Sequence, residues 1–310
     1  MAGTVRDVAE TFVLSDREMA RRFDDKVIPE TFGDARGNLQ RPELVVVTGQ
    51  SAAGKSTVVR QIADSFRDRG GAVVLIGDDL MKIHPRYAEL RVRDDFTAGD
   101  HIYPTAQRWL DMAIDRAIAQ RNNVILEEGV GDLMRTVRTM RKFDDNDYRS
   151  QVEALAVRRL QSRLSNLNRF LRERLERGTG RYVPNGAQDA CYTGSADLVR
   201  VLESAEPPVL IENLRVRSRT DVLFENHRLS SGTWSKHPEG SELMEYERNR
   251  PMTAVEQRGF VGQMKDLDEG IALGRQLRPE EEPVWQRLTT EAHVIKQSAI
   301  PLLGRFAGLL

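Results

Sequence analysis

Residues 49–57 read Gly49-Gln50-Ser51-Ala52-Ala53-Gly54-Lys55-Ser56-Thr57, which fits the pattern G-x-x-x-x-G-K-[ST] at every position. The stretch directly follows residues 43–48, a short run of β-branched residues, and it opens a segment with helical character. Glycines let the backbone turn so that successive N–H groups face phosphate oxygens, and the helix N-terminus adds a positive dipole. The sequence therefore predicts a phosphate-binding loop between a strand and a helix.

All nine residues of this loop are candidates for nucleotide binding. We expect Lys55 to reach the β- and γ-phosphates and the Ser56 hydroxyl to ligate Mg²⁺. The alternative is a chance match in a glycine-rich turn, which the strand before the loop and the helix after it make less plausible. The loop predicts a purine nucleotide, with ATP as the default ligand and Mg²⁺ as its cofactor.

Further strand candidates follow the same pattern along the chain. Their apolar positions are continuous instead of alternating, which is typical of strands buried on both faces of a parallel sheet. Strands that alternate with helical segments predict an α/β fold, with a mostly parallel sheet and helices on both faces. The candidates lie at residues 72–77, 123–127 and 152–157, and a closing pair combines 209–211 or 214–216 with 222–224.

Helical patterns fill most of the remaining chain. Ser15 is an N-cap candidate for a helix within residues 14–30, and residues 158–177 form a long helix rich in arginine. Residues 252–308 are predicted to be helical, with a break near Arg278-Pro279. These C-terminal helices are either a small appended domain or a brace on the main one, and the sequence leaves both possibilities open.

Carboxylates follow two of the predicted strands. Asp78 and Asp79 come directly after the second strand, and Glu127 and Glu128 end the third. Ligands of open α/β sheets collect at the carboxyl ends of the strands, so both pairs are expected beside the phosphate loop. Phosphoryl transfer to a hydroxyl needs one carboxylate as proton acceptor and another near Mg²⁺, for which Asp78 is the candidate. The alternative role of an acidic pair after a strand is to cap the next helix.

Cations must neutralise the charge on a transferring phosphoryl group. The arginine-rich helix ends at Gly178-Thr179-Gly180, and Arg181 follows. Glycines permit hinging and arginine forks suit phosphate, so this region is a candidate lid. We expect only the two or three arginines near the helix end to face a ligand, and the others to be solvated.

Composition excludes several classes of protein. The chain has 46 Lys+Arg and 47 Asp+Glu, a net charge of −1, with 30% charged and 40% hydrophobic residues. This balance is that of an ordinary globular protein and offers no general attraction to nucleic acid or anionic lipid. The only cysteine, Cys191, excludes an intramolecular disulfide. Residues 1–7 lack an apolar signal core and no run is long enough for a membrane span, so we expect a cytoplasmic protein.

These motifs together resemble the zeta toxin family of bacterial toxin–antitoxin systems, which are P-loop kinases that phosphorylate UDP-N-acetylglucosamine. Besides the loop, the similar stretches are Asp78 to Lys82 with His84-Pro85, a helix with Pro104, Arg108 and Asp111, Glu128-Gly129, and Arg181. The resemblance implies that Asp79 is the catalytic base and that Arg181 is a catalytic lid cation beside Lys55. It implies substrate contacts at Asp79, Lys82, Arg108, Asp111 and Glu128.

The resemblance also implies a nucleotide-sugar substrate and a small helical antitoxin as partner. It covers roughly residues 10–255, so we expect a P-loop kinase domain at 1–250, with helix 14–30 included, and a C-terminal helical extension at 251–310. The chain departs from the family's E-G-T-x-R stretch, because Val130 and Asp132 replace its threonine and arginine. Arg135, one helical turn beyond Asp132, is the candidate cation that compensates as a substrate contact.

Three other functions stay open from the sequence. The chain could be a P-loop kinase for another small molecule, such as a nucleoside or an antibiotic. It could be a nucleotide-dependent switch or ATPase that moves a partner through its C-terminal helices. It could also be a binding-only descendant without activity, since Val130 and Asp132 depart from the family pattern.

Overall fold

A central sheet of six strands organises the molecule, in the order β2-β3-β1-β4-β5-β6. The computed structural model describes residues 12–309, so the polar segment 1–7 lies outside the described residues. Neighbouring strands from β2 to β5 pair in parallel, and β6 joins β5 antiparallel. The strands are β1 Glu43–Thr48, β2 Val73–Ile76, β3 Val124–Glu128, β4 Arg149–Leu155, β5 Asn213–Arg217 and β6 Val222–His227.

Twelve α-helices, one π-helical turn and three 3₁₀ turns accompany this sheet in residues 12–309. The first helix continues through a π-helical turn, Phe23–Val27, and Ser15 caps its start by accepting a hydrogen bond from the Glu18 N–H. The α-helices are α1 Asp16–Arg22, α2 Ile28–Phe32, α3 Lys55–Phe66, α4 Gly77–Lys82, α5 Tyr87–Arg93, α6 Ala98–Gln120, α7 Leu133–Asp144, α8 Arg159–Arg177, α9 Asn185–Glu203, α10 Gly240–Asn249, α11 Ala254–Leu277 and α12 Glu282–Leu303.

The central strand β1 is buried on both faces, as its continuous apolar run predicts. Leu44 and Val46 of β1 face one hydrophobic core, whereas Val45 and Val47 face another on the opposite side. Successive side chains of a strand point to opposite faces, so a strand covered on both sides needs apolar residues at every position. The predicted α/β fold with a mostly parallel sheet is confirmed.

Two strand predictions need correction. Strand β4 is Arg149–Leu155, not 152–157, because the polar Arg149 and Gln151 pair with β1 at Glu43 and Val45. The closing pair uses 214–216, whereas 209–211 lies outside any strand. Val209 and Ile211 are nevertheless buried in the main core, which is why their apolar run resembles a strand.

The C-terminal helices form a hairpin that packs on α8. We call α11, α12 and the 3₁₀ turn Pro279–Glu281 between them the C-terminal hairpin. It shares a separate hydrophobic core with α8, to which Leu164, Phe170 and Trp285 contribute. Gly270 of α11 permits this approach, since a Cβ there would lie 2.6 Å from the Leu171 side chain of α8. The hairpin is therefore a brace on α8, with its break at Arg278-Pro279 as predicted.

No helix among residues 12–309 is both long and apolar enough to cross a membrane.

Candidate active site

The phosphate loop joins β1 to α3 and has the backbone that its glycines predict. Gly49 and Gly54 have φ angles of +147° and +109°, a region that L-residues rarely adopt. The Lys55 ammonium donates hydrogen bonds to the carbonyl oxygens of Gly49 at 2.8 Å and Gln50 at 3.1 Å. The Lys55 side chain therefore folds back over the loop, and its ammonium lies beside the first residues of the loop.

Gln50 anchors the loop to the end of the β4–α8 connection and to α8. Its side-chain amide donates to the Val157 carbonyl at 2.8 Å and to the Ser162 hydroxyl at 3.0 Å, and the residue is buried. Six of the nine predicted loop residues line the adjacent cavity: Ser51, Ala52, Gly54, Lys55, Ser56 and Thr57. Gly49, Gln50 and Ala53 do not line it, and a nucleotide contact at these three residues stays a prediction.

A cavity of about 800 Å³ opens beside the loop. Its walls come from the phosphate loop, α4, α6, the end of β3, α8 and the start of α9. The volume lies in the upper part of the range of about 300–1,000 Å³ that is usual for ligand sites. The predicted crevice at the carboxyl ends of the strands is therefore present and is closed on one side by α9.

Glu127 is the carboxylate nearest to the phosphate loop. Its Oε2 accepts a hydrogen bond from the Ser56 hydroxyl at 3.2 Å, and its Oε1 lies 3.7 Å from the Lys55 ammonium. A hydroxyl and a carboxylate side by side are the hard oxygen donors that Mg²⁺ prefers, and Mg²⁺ usually keeps several waters besides them. Residues 12–309 contain no cluster of three or more His, Cys, Asp or Glu with metal-site geometry, so protein ligands alone would not complete its shell.

The adjacent Asp78 and Asp79 point in different directions. Asp78 lines the cavity, and its Oδ2 lies 2.9 Å from the Arg181 guanidinium. Asp79 is 49% exposed, pairs with Lys82, and neither of these two residues lines the cavity. Asp78 thus faces the cavity, whereas the predicted substrate contacts Asp79 and Lys82 do not. The carboxylate beside Ser56 is Glu127, whereas the sequence predicted Asp78 as the carboxylate near Mg²⁺.

Glu128 is the last residue of β3 and lines the cavity. Burial raises its pKa above the usual value for glutamate, and the Val130 N–H donates to its Oε1 at 3.2 Å. Val130 has a left-handed φ of +58°, uncommon for a β-branched residue, which turns the chain sharply after Gly129. Gly194 of α9 lets the helix approach this turn, since a Cβ there would lie 1.9 Å from the Val130 carbonyl oxygen.

Two predicted substrate contacts, Arg135 and Asp111, pair with each other outside the lining of the cavity. Arg135 lies 3.0 Å from Asp111, and its charge opposes the burial effect on the pKa of Glu128. Neither Arg135 nor Asp111 lines the cavity itself. Asp132 accepts a hydrogen bond from the Arg135 N–H at 3.0 Å and caps α7. The aspartate that departs from the family pattern therefore has a structural role at the start of this helix.

Helix α6 presents a face that the sequence did not single out. Asp100, Tyr103 and Gln107 line the cavity, at the spacing of three and four residues that places side chains on one helical face. Arg108, predicted as a substrate contact, lies on another side of the helix and pairs with Asp16 at 2.9 Å. The sequence alone does not show which side of α6 faces the phosphate loop, so it could not identify this polar face.

Arginines of α8 approach the phosphate loop from across the cavity. Arg169 donates to the Ser51 hydroxyl at 3.2 Å, and Arg172 and Arg181 also line the cavity. Burial and the nearby Arg181 lower the pKa of Arg169 to about 10, so this guanidinium keeps its charge at neutral pH. Lys55, Arg169 and Arg181 together make the loop end of the cavity cationic.

The expected lid at the end of α8 is corrected by the packing there. Arg174 turns away from the cavity to pair with Asp95 and Glu281. Gly180 is packed so closely that a Cβ would lie 2.3 Å from the Phe170 carbonyl oxygen. Gly180 therefore permits close packing, and the arginines that line the cavity are Arg169 and Arg172 of α8 together with Arg181.

The comparisons with known proteins agree with this geometry. Residues 30–228 match the sequence model of the zeta toxin family, which is more than half of the chain. The fold is similar to a structure from the PezAT chromosomal toxin–antitoxin system of the human pathogen Streptococcus pneumoniae, with a TM-score of 0.68 and 17% identity over 86% of this chain and 99% of that one. At that identity, the likeness concerns the fold alone.

A structure of chloroplast FtsY from Physcomitrella patens aligns over 73% of this chain and 72% of the FtsY chain at 15% identity. Its TM-score of 0.24 is too low to indicate a shared fold. No curated protein is significantly similar in sequence.

Proposed function

The chain belongs to the zeta toxin family, and we propose that it transfers the γ-phosphoryl group of ATP·Mg²⁺ to a hydroxyl of a nucleotide sugar such as UDP-N-acetylglucosamine, as the toxin of a toxin–antitoxin system. The observation that carries the proposal is the convergence of Lys55, Arg169, Arg181, Asp78 and Glu127 on one cavity beside the phosphate loop. Phosphoryl transfer is catalysed mainly by positioning and electrostatic stabilisation, and this set of residues provides both.

The loop end of the cavity fits the nucleotide and its metal. Ser56 and Glu127 would hold Mg²⁺, directly or through water, and the ion would neutralise charge on the β- and γ-phosphate oxygens. Lys55 would exchange its hydrogen bonds to the Gly49 and Gln50 carbonyls for bonds to the phosphates. Arg169, which already contacts Ser51 of the loop, would add a fork-shaped donor from the opposite side.

Asp78 is the base that the geometry supports. As the acceptor oxygen forms its bond to the γ-phosphorus and the bond to the β-γ bridging oxygen breaks, the hydroxyl proton passes to the Asp78 carboxylate. The Arg181 guanidinium, 2.9 Å from this carboxylate, orients it and would stabilise the charge of the transferring group. One ion pair therefore joins the proposed base, Asp78, to Arg181, the cation that we propose stabilises the transition state.

The acceptor half of the cavity suits a polar, ring-bearing substrate. Asp100, Gln107 and Glu128 provide carboxylate and amide groups that recognise hydroxyls, and Tyr103, Phe96 and Tyr182 supply flat aromatic surfaces. Hydroxyls and rings are the two features of a nucleotide sugar. Nucleosides and many antibiotics also carry hydroxyls and rings, so the acceptor must be identified by experiment.

The direct test is incubation of the purified protein with ATP·Mg²⁺ and a panel of nucleotide sugars, nucleosides and aminoglycosides. Mass spectrometry would detect the gain of one phosphate, and Lys55→Ala serves as the inactive comparison, because removal of a phosphate-directed cation costs several kcal/mol of transition-state stabilisation. Phosphorylation of a nucleotide sugar supports the proposal. Phosphorylation of only another class reassigns the acceptor, and ATP hydrolysis without any acceptor product favours a switch or ATPase.

A further inference from the structure

Hydrogen bonds made by Gly180, Arg181 and Tyr182 help to hold the segment that carries Arg181. We call residues 178–183 the arginine segment. The Gly180 N–H donates to Asp95 Oδ2 at 2.8 Å, and the Arg181 N–H donates to Glu173 Oε2 at 2.8 Å. The Tyr182 hydroxyl donates to Glu291 Oε1 at 2.6 Å. The residues on both sides of Arg181 are therefore held in place by hydrogen bonds, and its side chain extends from this held segment to Asp78.

Two of these three bonds lead to the C-terminal hairpin. Glu291 belongs to α12 itself. Asp95 pairs with Arg174, whose guanidinium also lies 3.0 Å from Glu281 in the turn of the hairpin. Arg278 of the same turn donates to the Arg174 carbonyl at 2.6 Å and so closes the end of α8. The route from the hairpin to Gly180 runs entirely through buried or half-buried charges.

Helix α12 also supports the wall of the cavity from behind. The Arg287 guanidinium lies 3.9 Å from the centre of the Phe96 ring and 5.0 Å from that of Tyr182, and both rings line the cavity. Arg287 lies 3.5 Å from Glu291 as well, which orients the carboxylate toward the tyrosine. Burial and this carboxylate raise the pKa of the Tyr182 phenol, so it stays protonated and remains the donor.

We infer that the C-terminal hairpin positions Arg181 for phosphoryl transfer, with Glu291 and Glu281 as positioning residues that act through Tyr182 and through Arg174–Asp95–Gly180. The inference rests on the proposed function. Both glutamates lie outside residues 30–228, the part of the chain that matches the family. The hairpin is thus an accessory of this chain that contributes to the site without touching a ligand.

Glu291→Ala removes the acceptor of the Tyr182 hydroxyl. We expect kcat to fall on the order of 10-fold with KM for ATP within about twofold, because loss of position affects the transition state more than ground-state binding. Tyr182→Phe should give the same loss, and the double variant should lose no more than either single variant, as for two residues of one interaction. Glu291→Gln keeps an acceptor oxygen and should restore most of the activity.

Lys296→Met is the matched control, since Lys296 pairs with Asp268 at 2.6 Å and joins α11 to α12 away from the cavity. Its kcat should equal that of the unaltered chain. A second readout is hydrogen exchange measured on peptides that cover residues 178–183, which should speed up in Glu291→Ala and not in Lys296→Met.

An unchanged kcat in Glu291→Ala, or an equal loss in Lys296→Met, overturns the positioning role. Unchanged exchange of the arginine segment in Glu291→Ala overturns it too, whether or not the protein is active. If the unaltered chain phosphorylates no acceptor while exchange in Glu291→Ala is faster, the proposed function fails and the structural tie between hairpin and arginine segment stands. The two failures are therefore distinguishable.

Discussion

At the residue scale, the neighbouring carboxylates of α4 show how one position changes a side chain's role. Successive residues of a helix are rotated by about 100° from each other, so Asp78 and Asp79 cannot both face the cavity. Leu80 and Met81 are buried and fix the orientation of this short helix. Asp78 consequently meets Arg181, whereas Asp79 is left to an exposed pair with Lys82.

We predict that Asp78→Asn lowers the rate of phosphoryl transfer by about 10²–10⁴-fold, the usual contribution of a general base. Asparagine keeps the shape and a hydrogen bond to Arg181 but cannot take the proton, so affinity for ATP should change little. Asp79→Asn should lower the rate less than about threefold, because an exposed ion pair contributes little. Steady-state kinetics with calorimetric ATP binding measures both. A larger loss in Asp79→Asn than in Asp78→Asn would return the base to Asp79.

At the scale of single elements, helix α7 depends on its first residue. Asp132 caps the helix through the Arg135 N–H, and Arg135 in turn reaches Asp111. We predict that Asp132→Arg, which restores the family residue, lowers the stability by about 1 kcal/mol, the typical cost of losing an N-cap. Thermal unfolding measures this loss, and Asp132→Asn, which keeps the cap, should be close to neutral.

A variant of Arg135 separates the cap from the substrate site. Arg135→Ala leaves the cap in place, because the hydrogen bond uses the backbone N–H. It should raise KM for the nucleotide sugar, since the charge of Arg135 acts on Glu128, which lines the cavity. If Arg135→Ala left KM and kcat unaltered, Arg135 would have no part in substrate binding and its pair with Asp111 would be structural.

Elements could be predicted where local pattern and tertiary packing agree. The apolar runs that became β1, β2 and β3 are buried on both faces, so the sequence alone located them. The predicted bounds of β4 lie too far along the sequence for two reasons. Arg149 is polar although it pairs with β1, and Ala156 and Val157 are buried although the strand has ended. Burial and strand pairing are separate properties, and a run of apolar residues reports only the first.

Sites were predicted less completely than strands because they need orientation as well as position. The phosphate loop is contiguous, so its motif sufficed for Lys55 and Ser56. The cavity-facing residues of α6 and α8 are selected by which side of each helix packs on its neighbours. Arg108 and Arg174 therefore proved to point elsewhere, whereas Asp100 and Arg169 proved to face the cavity.

At the scale of the whole molecule, the proposed activity predicts an effect on cells. A nucleotide-sugar kinase without restraint would consume a cell-wall precursor, so we expect overexpression of the chain to slow the growth of a bacterial host. Lys55→Ala should be harmless, because it keeps the fold and loses a cation of the phosphate site. Arg108→Ala is the matched control, since this arginine lies away from the cavity in an exposed pair and its loss should leave the growth defect intact.

Growth curves at matched protein levels, checked by immunoblot, decide the outcome. Equal growth of cells with the unaltered chain and with Lys55→Ala would remove the toxin assignment even if kinase activity were measured in vitro. A growth defect in both would place the toxicity outside the phosphate site. A defect that depends on Lys55, together with phosphorylated nucleotide sugar in cell extracts, ties the loop at residues 49–57 to the effect on the cell, and a small helical antitoxin that covers the cavity should then restore growth.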